Sequence, residues 1–258
     1  MGKKVPRKVD VFFSPAQVDQ LSLRGKNVVI IDVLRASTTI SMALFNGAKE
    51  IIPIAGVESA VKIPGSLFGD VTLRGGERNG KVIEGFNLGN SPGEYTEETV
   101  KGKSIIYTTT NGSAAMVKAR YAHNLVVGGF INLSKVVGFL KALKDDFVVI
   151  CAGKQNEFCL EDAVCSGMML FKLQQSIRSL DVPDAGRASI ILFKKFGRNI
   201  LRMLLESEHG KFLTDIGFEK DLPICASVDS IPVLPIMSGN VIKLTKSVSS
   251  GLSQQAVA

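Results

Sequence analysis

Val28-Val29-Ile30-Ile31 is an unbroken β-branched run ending on Asp32, and such a run suits a strand buried on both faces of a parallel sheet. It feeds a polar loop, Asp32 to Thr39, and then Ile40–Phe45, where positions 40, 43 and 44 repeat at helical spacing before Asn46-Gly47 stops the helix. A short second strand follows at Glu50–Ile54. The same grammar returns as a strand at Ser104–Tyr107, a polar turn at Thr108–Ser113, a helix at Ala114–Ala119 and a strand over Asn124–Gly129. A third strand, Phe147–Cys151, leads through Ala152–Phe158 into a helix that opens at Leu160. Strands alternating with helices predict a three-layer α/β/α fold with a largely parallel sheet and functional loops at the carboxyl ends of the strands. Ala48-Lys-Glu-Ile-Ile and Ala122-His-Asn-Leu-Val fall at matching places 74 residues apart, which reads as a strand-loop-helix duplication. The chain is expected to form a single α/β domain over residues 1–258, and the duplication leaves open two similar lobes at about 1–95 and 96–258.

Residues 73–93 fit no regular element and carry six glycines, so they read as a long, ordered, functional loop. A long helical stretch is expected from residue 171 to about 208, interrupted near Pro183, with a Gly- and Pro-punctuated segment after Gly210.

Among 258 residues, 45% are hydrophobic, which excludes a disordered chain, and four cysteines are too few for a disulfide scaffold. No apolar run approaches a membrane span, and the basic N-terminus leads into no signal-peptide core, so no membrane partner is expected. The net charge of +7 sits on the tail (Lys3, Lys4, Arg7, Lys8) and on residues 171–202, leaving the remainder nearly neutral. With no Trp and three Tyr, no stacking platform accompanies that charge, and no nucleic-acid partner is expected. Cys151, Cys159, Cys165 and Cys225 match no C-x-x-C pattern, and His123 and His209 form no pair, which argues against zinc held by soft ligands. Reduced thiols point to the cytoplasm. Any metal is expected to be a hard cation held by carboxylates and water, that is, Mg2+.

Three loops predicted at one sheet edge each bring a different tool. Asp32 and Arg35 precede Ser37, Thr38 and Thr39; Thr109, Thr110 and Asn111 precede Gly112; Glu161 and Asp162 open the third helix. Helix entrances with free amides and hydroxyls bind anions, Arg35 and Arg78 can clamp a phosphate or carboxylate, and paired carboxylates hold Mg2+ against phosphate oxygens. The joint reading is phosphoryl chemistry on a small, multiply anionic phosphorylated substrate. Asp32, Arg35, Glu161 and Asp162 are the catalytic candidates, and Asp32, Glu161 and Asp162 the metal ligands. Arg35, Arg78, Asn90, Ser91, Thr109, Thr110 and Asn111 are the substrate-binding candidates. Each piece has a plainer alternative: Asp32 and the Thr-Thr-Thr-Asn run as helix caps, Glu161 and Asp162 as dipole partners, Arg78 as a loop ion pair with Glu77. No G-x-x-x-x-G-K-[ST] motif is present, which favours hydrolysis over ATP-dependent transfer.

The blocks Ile31–Ile40, Gly76–Gly80, Gly85–Pro92, Thr109–Ser113, Cys151–Gly153, Phe158, Leu160–Asp162 and Cys165–Gly167 resemble the 2-phosphosulfolactate phosphatase (ComB-like) family. So does the closing set Ser207–Gly210, Gly217-Phe218, Asp221, Cys225 and Asp229. Asn87 stands where the family pattern has Asp, and Ser113 where Thr is usual. The resemblance implies a Mg2+-dependent phosphatase that converts 2-phosphosulfolactate to sulfolactate and phosphate, a step of coenzyme M biosynthesis. A phosphatase for another phosphorylated 2-hydroxy acid is the alternative, and assembly into a homo-oligomer stays open.

Overall fold

The computed structural model describes residues 6–63 and 72–244; Lys3 and Lys4 of the basic tail lie outside the described residues. The strands are β1 (Arg7–Phe12), β2 (Asn27–Ile31), β3 (Glu50–Pro53), β4 (Thr72–Arg78), β5 (Lys81–Val82), β6 (Ser104–Thr108), β7 (Asn124–Gly128), β8 (Phe147–Cys151), β9 (Leu180–Asp181), β10 (Pro235–Ser238) and β11 (Val241–Leu244). The helices are α1 (Ala36–Phe45), α2 (Val57–Lys62), α3 (Glu97–Val100), α4 (Gly112–Lys118), α5 (Leu133–Leu143), α6 (Leu160–Ser176), α7 (Asp184–Phe196), α8 (Ile200–Glu206), α9 (Glu208–Asp215) and α10 (Asp221–Ala226).

The strands form one 11-stranded sheet in the order β5-β4-β6-β3-β11-β10-β7-β2-β8-β1-β9. β2 is buried along its whole length, and its alternate residues serve two cores. Val29 and Ile31 pack with Val149, with Val136 and Leu140 of α5, and with Val164 and Met169 of α6. Val28 and Ile30 pack with Ile40 and Leu44 of α1 and with Ala115 and Met116 of α4. This period-two division puts helices on both faces and produces the three-layer α/β/α architecture expected from the alternation. Each fully buried aliphatic side chain stabilises this arrangement by roughly 1.5–3 kcal/mol before entropy is counted.

β2 pairs in parallel with β7 and β8, and β6 in parallel with β3 and β4. Between these parallel groups sits an antiparallel hairpin, β10–β11, bonded to β7 on one side and β3 on the other. Gly239, at φ 62°, opens its two-residue turn. The strand-helix-strand units β2-α1-β3 and β6-α4-β7 therefore run across the sheet in opposite senses, and each connects the two parallel groups.

Two local expectations are corrected. Residues 72–78 are not loop but strand β4, because Thr72–Gly76 pair in register with Ser104–Thr108 of β6. The Gly76 N–H also finds Leu88 and Gly89 carbonyls, so tertiary hydrogen bonds override the weak strand propensity of glycine. The helical stretch after residue 171 breaks at 177–183, where β9 pairs with β1, and again at Gly197–Asn199 and Ser207. Arg187, Lys194, Lys195, Arg198 and Arg202 are exposed along it, as solvated outer surface. The four cysteines are free and buried. Among the described residues no helix is long and apolar enough to cross a membrane.

α6 and α7 approach closely at Gly167, where a Cβ would stand 1.9 Å from the Ser189 carbonyl oxygen. The helix-propensity gain of about 1 kcal/mol from Gly to Ala cannot offset a clash with main chain. Gly167→Ala is therefore expected to lower stability by about 1–3 kcal/mol in urea unfolding. Gly138 of α5 is exposed, and a Cβ there meets nothing within 4 Å. Gly138→Ala should raise stability by about 0.5–1 kcal/mol. Equal effects of the two substitutions would contradict the packing.

Candidate active site

The carboxyl ends of β2, β4 and β6, the loop after β8 and the α9 helix surround a cavity of about 340 Å³. Asp32, Arg35, Glu77, Asn90, Thr109, Thr110, Asn111, Lys154 and His209 line it among others. Asp32 ends β2 and also caps α1. Its Oδ1 accepts the Ala36 N–H at 3.1 Å, its carbonyl accepts the Ser37 N–H, and its own N–H donates to Ser37 Oγ. Capping and cavity lining thus coexist in one carboxylate. Gly112 is required beside it, since a Cβ there would lie 2.4 Å from Asp32 Oδ2.

The second turn is wired in a parallel way. The Thr109 N–H donates to Ser113 Oγ at 2.8 Å and the Ser113 N–H returns to Thr109 Oγ1 at 3.0 Å. The Thr110 N–H donates to Glu77 Oε1 at 2.7 Å, while Glu77 Oε2 accepts from the Gly80 N–H and the Thr110 hydroxyl. Asn111 Oδ1 accepts the Gln155 N–H at 2.9 Å. The amides of Thr109 and Thr110 are therefore engaged within the fold.

The third loop brings the acidic pair into the same neighbourhood with different tasks. Asp162 Oδ1 accepts the Val33 N–H at 2.8 Å and Oδ2 the Gly153 N–H at 3.1 Å, which ties the end of β2 to the end of β8. It does not line the cavity. Glu161, 1% exposed, hydrogen-bonds His209 Nδ1 through Oε1 at 3.1 Å. It borders a second cavity of about 320 Å³, which shares Lys154, Gln155 and His209 with the first.

Crowding of acids shows in their protonation. Burial first, then Glu77 and Glu161, push Asp32 up to about 6, against the pull of His209 and the Ala36 N–H. Burial, Asp32 and Glu161 raise Asp162 as well, against its two N–H partners.

The arginines are placed differently from a simple anion clamp. Arg35 lines the cavity, but its Nη1 donates to Asp221 Oδ2 at 2.6 Å, its Nη2 to the Gly80 carbonyl at 2.8 Å, and Phe218 stacks 4.2 Å from its centre. Arg78 donates to the Glu77 carbonyl and to Thr108 Oγ1 and lies outside the cavity lining; no ion pair joins it to Glu77 among the described residues. Ser91 donates to Asp221 Oδ1 at 2.6 Å, also outside the lining, whereas Asn90 lines it and accepts from the Tyr107 hydroxyl.

Glu77, Lys154, Gln155, His209 and Phe212 were not singled out as site residues from their positions in the chain. Lys154 reaches into the cavity wall, pairs with Glu208 at 2.9 Å and sits 5.1 Å from the Phe212 ring. Glu208 is 90% exposed, so that pairing is cheap to break. For His209 the one local signal is the Ser207-Glu-His-Gly210 block, where Ser207 Oγ accepts the Gly210 N–H and starts α9.

Residues 12–240 match the family described as 2-phosphosulpholactate phosphatase. A protein of Caldanaerobacter subterraneus named probable 2-phosphosulfolactate phosphatase is 37% identical over 229 residues, 89% of this chain and 95% of its own length. Proteins with the same name from Symbiobacterium thermophilum and Clostridium acetobutylicum are 38% and 34% identical over 223 and 228 residues, covering 86% and 88% of this chain and 96% of each relative.

The raised Asp32 carboxyl has a consequence for stability. Its folded value near 6 exceeds the ordinary 3.8, so the stability it lends is full below about pH 4 and is lost as pH rises through 6. In divalent-free buffer, Asp32→Asn should match the wild-type protein below pH 4. Above pH 6 it should exceed it by up to roughly 3 kcal/mol. A variant less stable than wild type at pH 8 would contradict the electrostatics.

Proposed function

The chain belongs to the 2-phosphosulfolactate phosphatase family of phosphoric monoester hydrolases, and from that premise we propose that it hydrolyses 2-phosphosulfolactate to sulfolactate and inorganic phosphate, a step of the coenzyme M type. The observation that carries this reading is Asp32. It is a buried carboxyl group at a strand end, and it lines a cavity together with Thr109, Thr110, Asn90, Lys154 and His209.

In the proposed reaction Asp32 accepts the hydrogen bond of the attacking water and takes its proton. The water oxygen bonds to phosphorus as the ester P–O bond breaks. His209, steadied through Nδ1 by Glu161, hands a proton to the departing alkoxide oxygen and is recharged from solvent. Lys154 releases Glu208 to meet an anionic group of the substrate, and the Thr hydroxyls and Asn90 orient the others. Arg35 acts at one remove, by holding the Gly80 turn and Asp221 in place. Leu34 stands where aspartyl-phosphate phosphatases of the Asp-x-Asp type carry a second acid, which favours water as the nucleophile over Asp32.

We further propose that the site works with Mg2+. Asp32 lines the first cavity and Glu161 the second, and both offer hard oxygen donors beside His209, which the two cavities share. Mg2+ needs only one or two carboxylates beside its waters and substrate phosphate, so the donor set suits it. When bound, it neutralises charge on the phosphate oxygens.

Phosphate release from 2-phosphosulfolactate is expected to stop on chelation, return with Mg2+, and fall about 100- to 10,000-fold in Asp32→Asn. Across a panel of phosphorylated 2-hydroxy acids, preference for esters lacking the sulfonate would overturn the substrate. Radiolabel from the phosphoryl group trapped on Asp32 by rapid quench would overturn the direct water step.

A further inference from the structure

Spacing along the chain argues against a soft-ligand metal site, yet the fold assembles one set of such groups. Cys159 ends the β8–α6 loop, Glu161 lies in the first turn of α6, and His209 lies in the first turn of α9. Their donor atoms all lie within 4.8 Å of one another, with His209 Nδ1 3.1 Å from Glu161 Oε1. Tetrahedral coordination with bonds of about 2.0–2.3 Å puts donors about 3.3–3.8 Å apart. Closure on an ion therefore needs side-chain shifts of roughly 1 Å.

The supports of the three groups are firm. Asp162 binds the start of α6 to Val33 and Gly153, and Ser207 caps α9. Cys159 and Glu161 are buried, while all three border the second cavity of about 320 Å³, which leaves one side of the set accessible. Three protein ligands and one open position is the arrangement of a reactive zinc site rather than a closed structural one.

We propose that Cys159, Glu161 and His209 form a binding site for a borderline transition-metal ion of the Zn2+ or Co2+ class. Magnesium avoids thiolate and imidazole, whereas a sulfur, nitrogen and oxygen set selects zinc-like ions. On binding, the Cys159 sulfur–hydrogen bond is replaced by a sulfur–metal bond and the proton leaves to solvent. The ion takes Glu161 and His209 away from the hydrolytic roles assigned above, so it is an inhibitor that competes with Mg2+. Only this inhibitory consequence rests on the proposed function; the binding itself does not.

Metal-free, full-length protein titrated with Co2+ is expected to develop a thiolate-to-cobalt charge-transfer band that saturates at one ion per chain. Cys159→Ser should lose the band and bind Co2+ about 100-fold more weakly, and His209→Gln should weaken binding similarly. An unchanged urea midpoint confirms that each variant is folded. Absence of the band in the wild-type protein, or an equal band in Cys159→Ser, would sink the site. In the second arm, Zn2+ inhibits phosphate release at fixed Mg2+, with an inhibition constant about 100-fold higher in Cys159→Ser. Equal inhibition of both proteins overturns the competition. If the phosphatase reading fails, no phosphate appears in the second arm, while the cobalt spectrum still decides the site.

Discussion

The buried pair of Arg35 and Asp221 holds the architecture around the cavity together. Arg35 follows β2, Asp221 begins α10, and their contact of 2.6 Å closes 186 residues of chain. Both partners make further contacts: Gly80 accepts from the guanidinium, Ser91 donates to the carboxylate and Phe218 covers one guanidinium face. Desolvating two charges is costly, and only such pairing makes it tolerable; removing one partner from a buried pair typically costs about 3–5 kcal/mol. The same commitment ties Arg35, itself part of the cavity lining, to Asp221 and the Gly80 turn. Lys154 and His209 also line the cavity, and their partners are an exposed glutamate and a buried one.

Carboxylates carry the complementary load. Asp162 ties Val33 to Gly153, Glu77 ties Gly80 to Thr110, and Asp32 caps α1. Each acid fixes a loop through main-chain N–H donors, which is an inexpensive way to order irregular backbone near a cavity. Burial first, and the neighbouring acids second, displace Asp32 and Asp162 upward.

What could be read from the chain follows from the range of the interactions involved. β2, β6, β8, α1 and α6 rest on local runs and helical spacing, so Val28–Ile31 and Phe147–Cys151 announce themselves. β4 does not, because Gly75-Gly76 becomes strand only through β6 and the Leu88 and Gly89 carbonyls. The β10–β11 hairpin carries a turn signal, but its insertion between β3 and β7 is decided by pairing across more than a hundred residues of chain. In the site, Asp32 and Thr109–Asn111 reach the cavity from the strand ends as their positions suggest, and Asn90 reaches it from the glycine-rich loop. Arg35 looked available because Asp221 lies far downstream, and His209 looked solitary because Glu161 lies 48 residues upstream.

The two strand-helix-strand units explain the asymmetry of the cavity. Both solve the same local problem, a strand that must hand over to a helix, and both do so with a serine: Ser37 returns to Asp32, and Ser113 to Thr109. The units differ in what stands at the handover, an acid in one and a hydroxyl in the other. They meet where Gly112, at the start of α4, packs against Asp32 Oδ2. Any side chain at that position would displace the carboxylate, so the absence of a Cβ in the second unit is a condition for the acid in the first to face the cavity. The acid and the hydroxyl wall thus come from different copies of one structural idea, and their contact at Gly112 places the candidate chemistry.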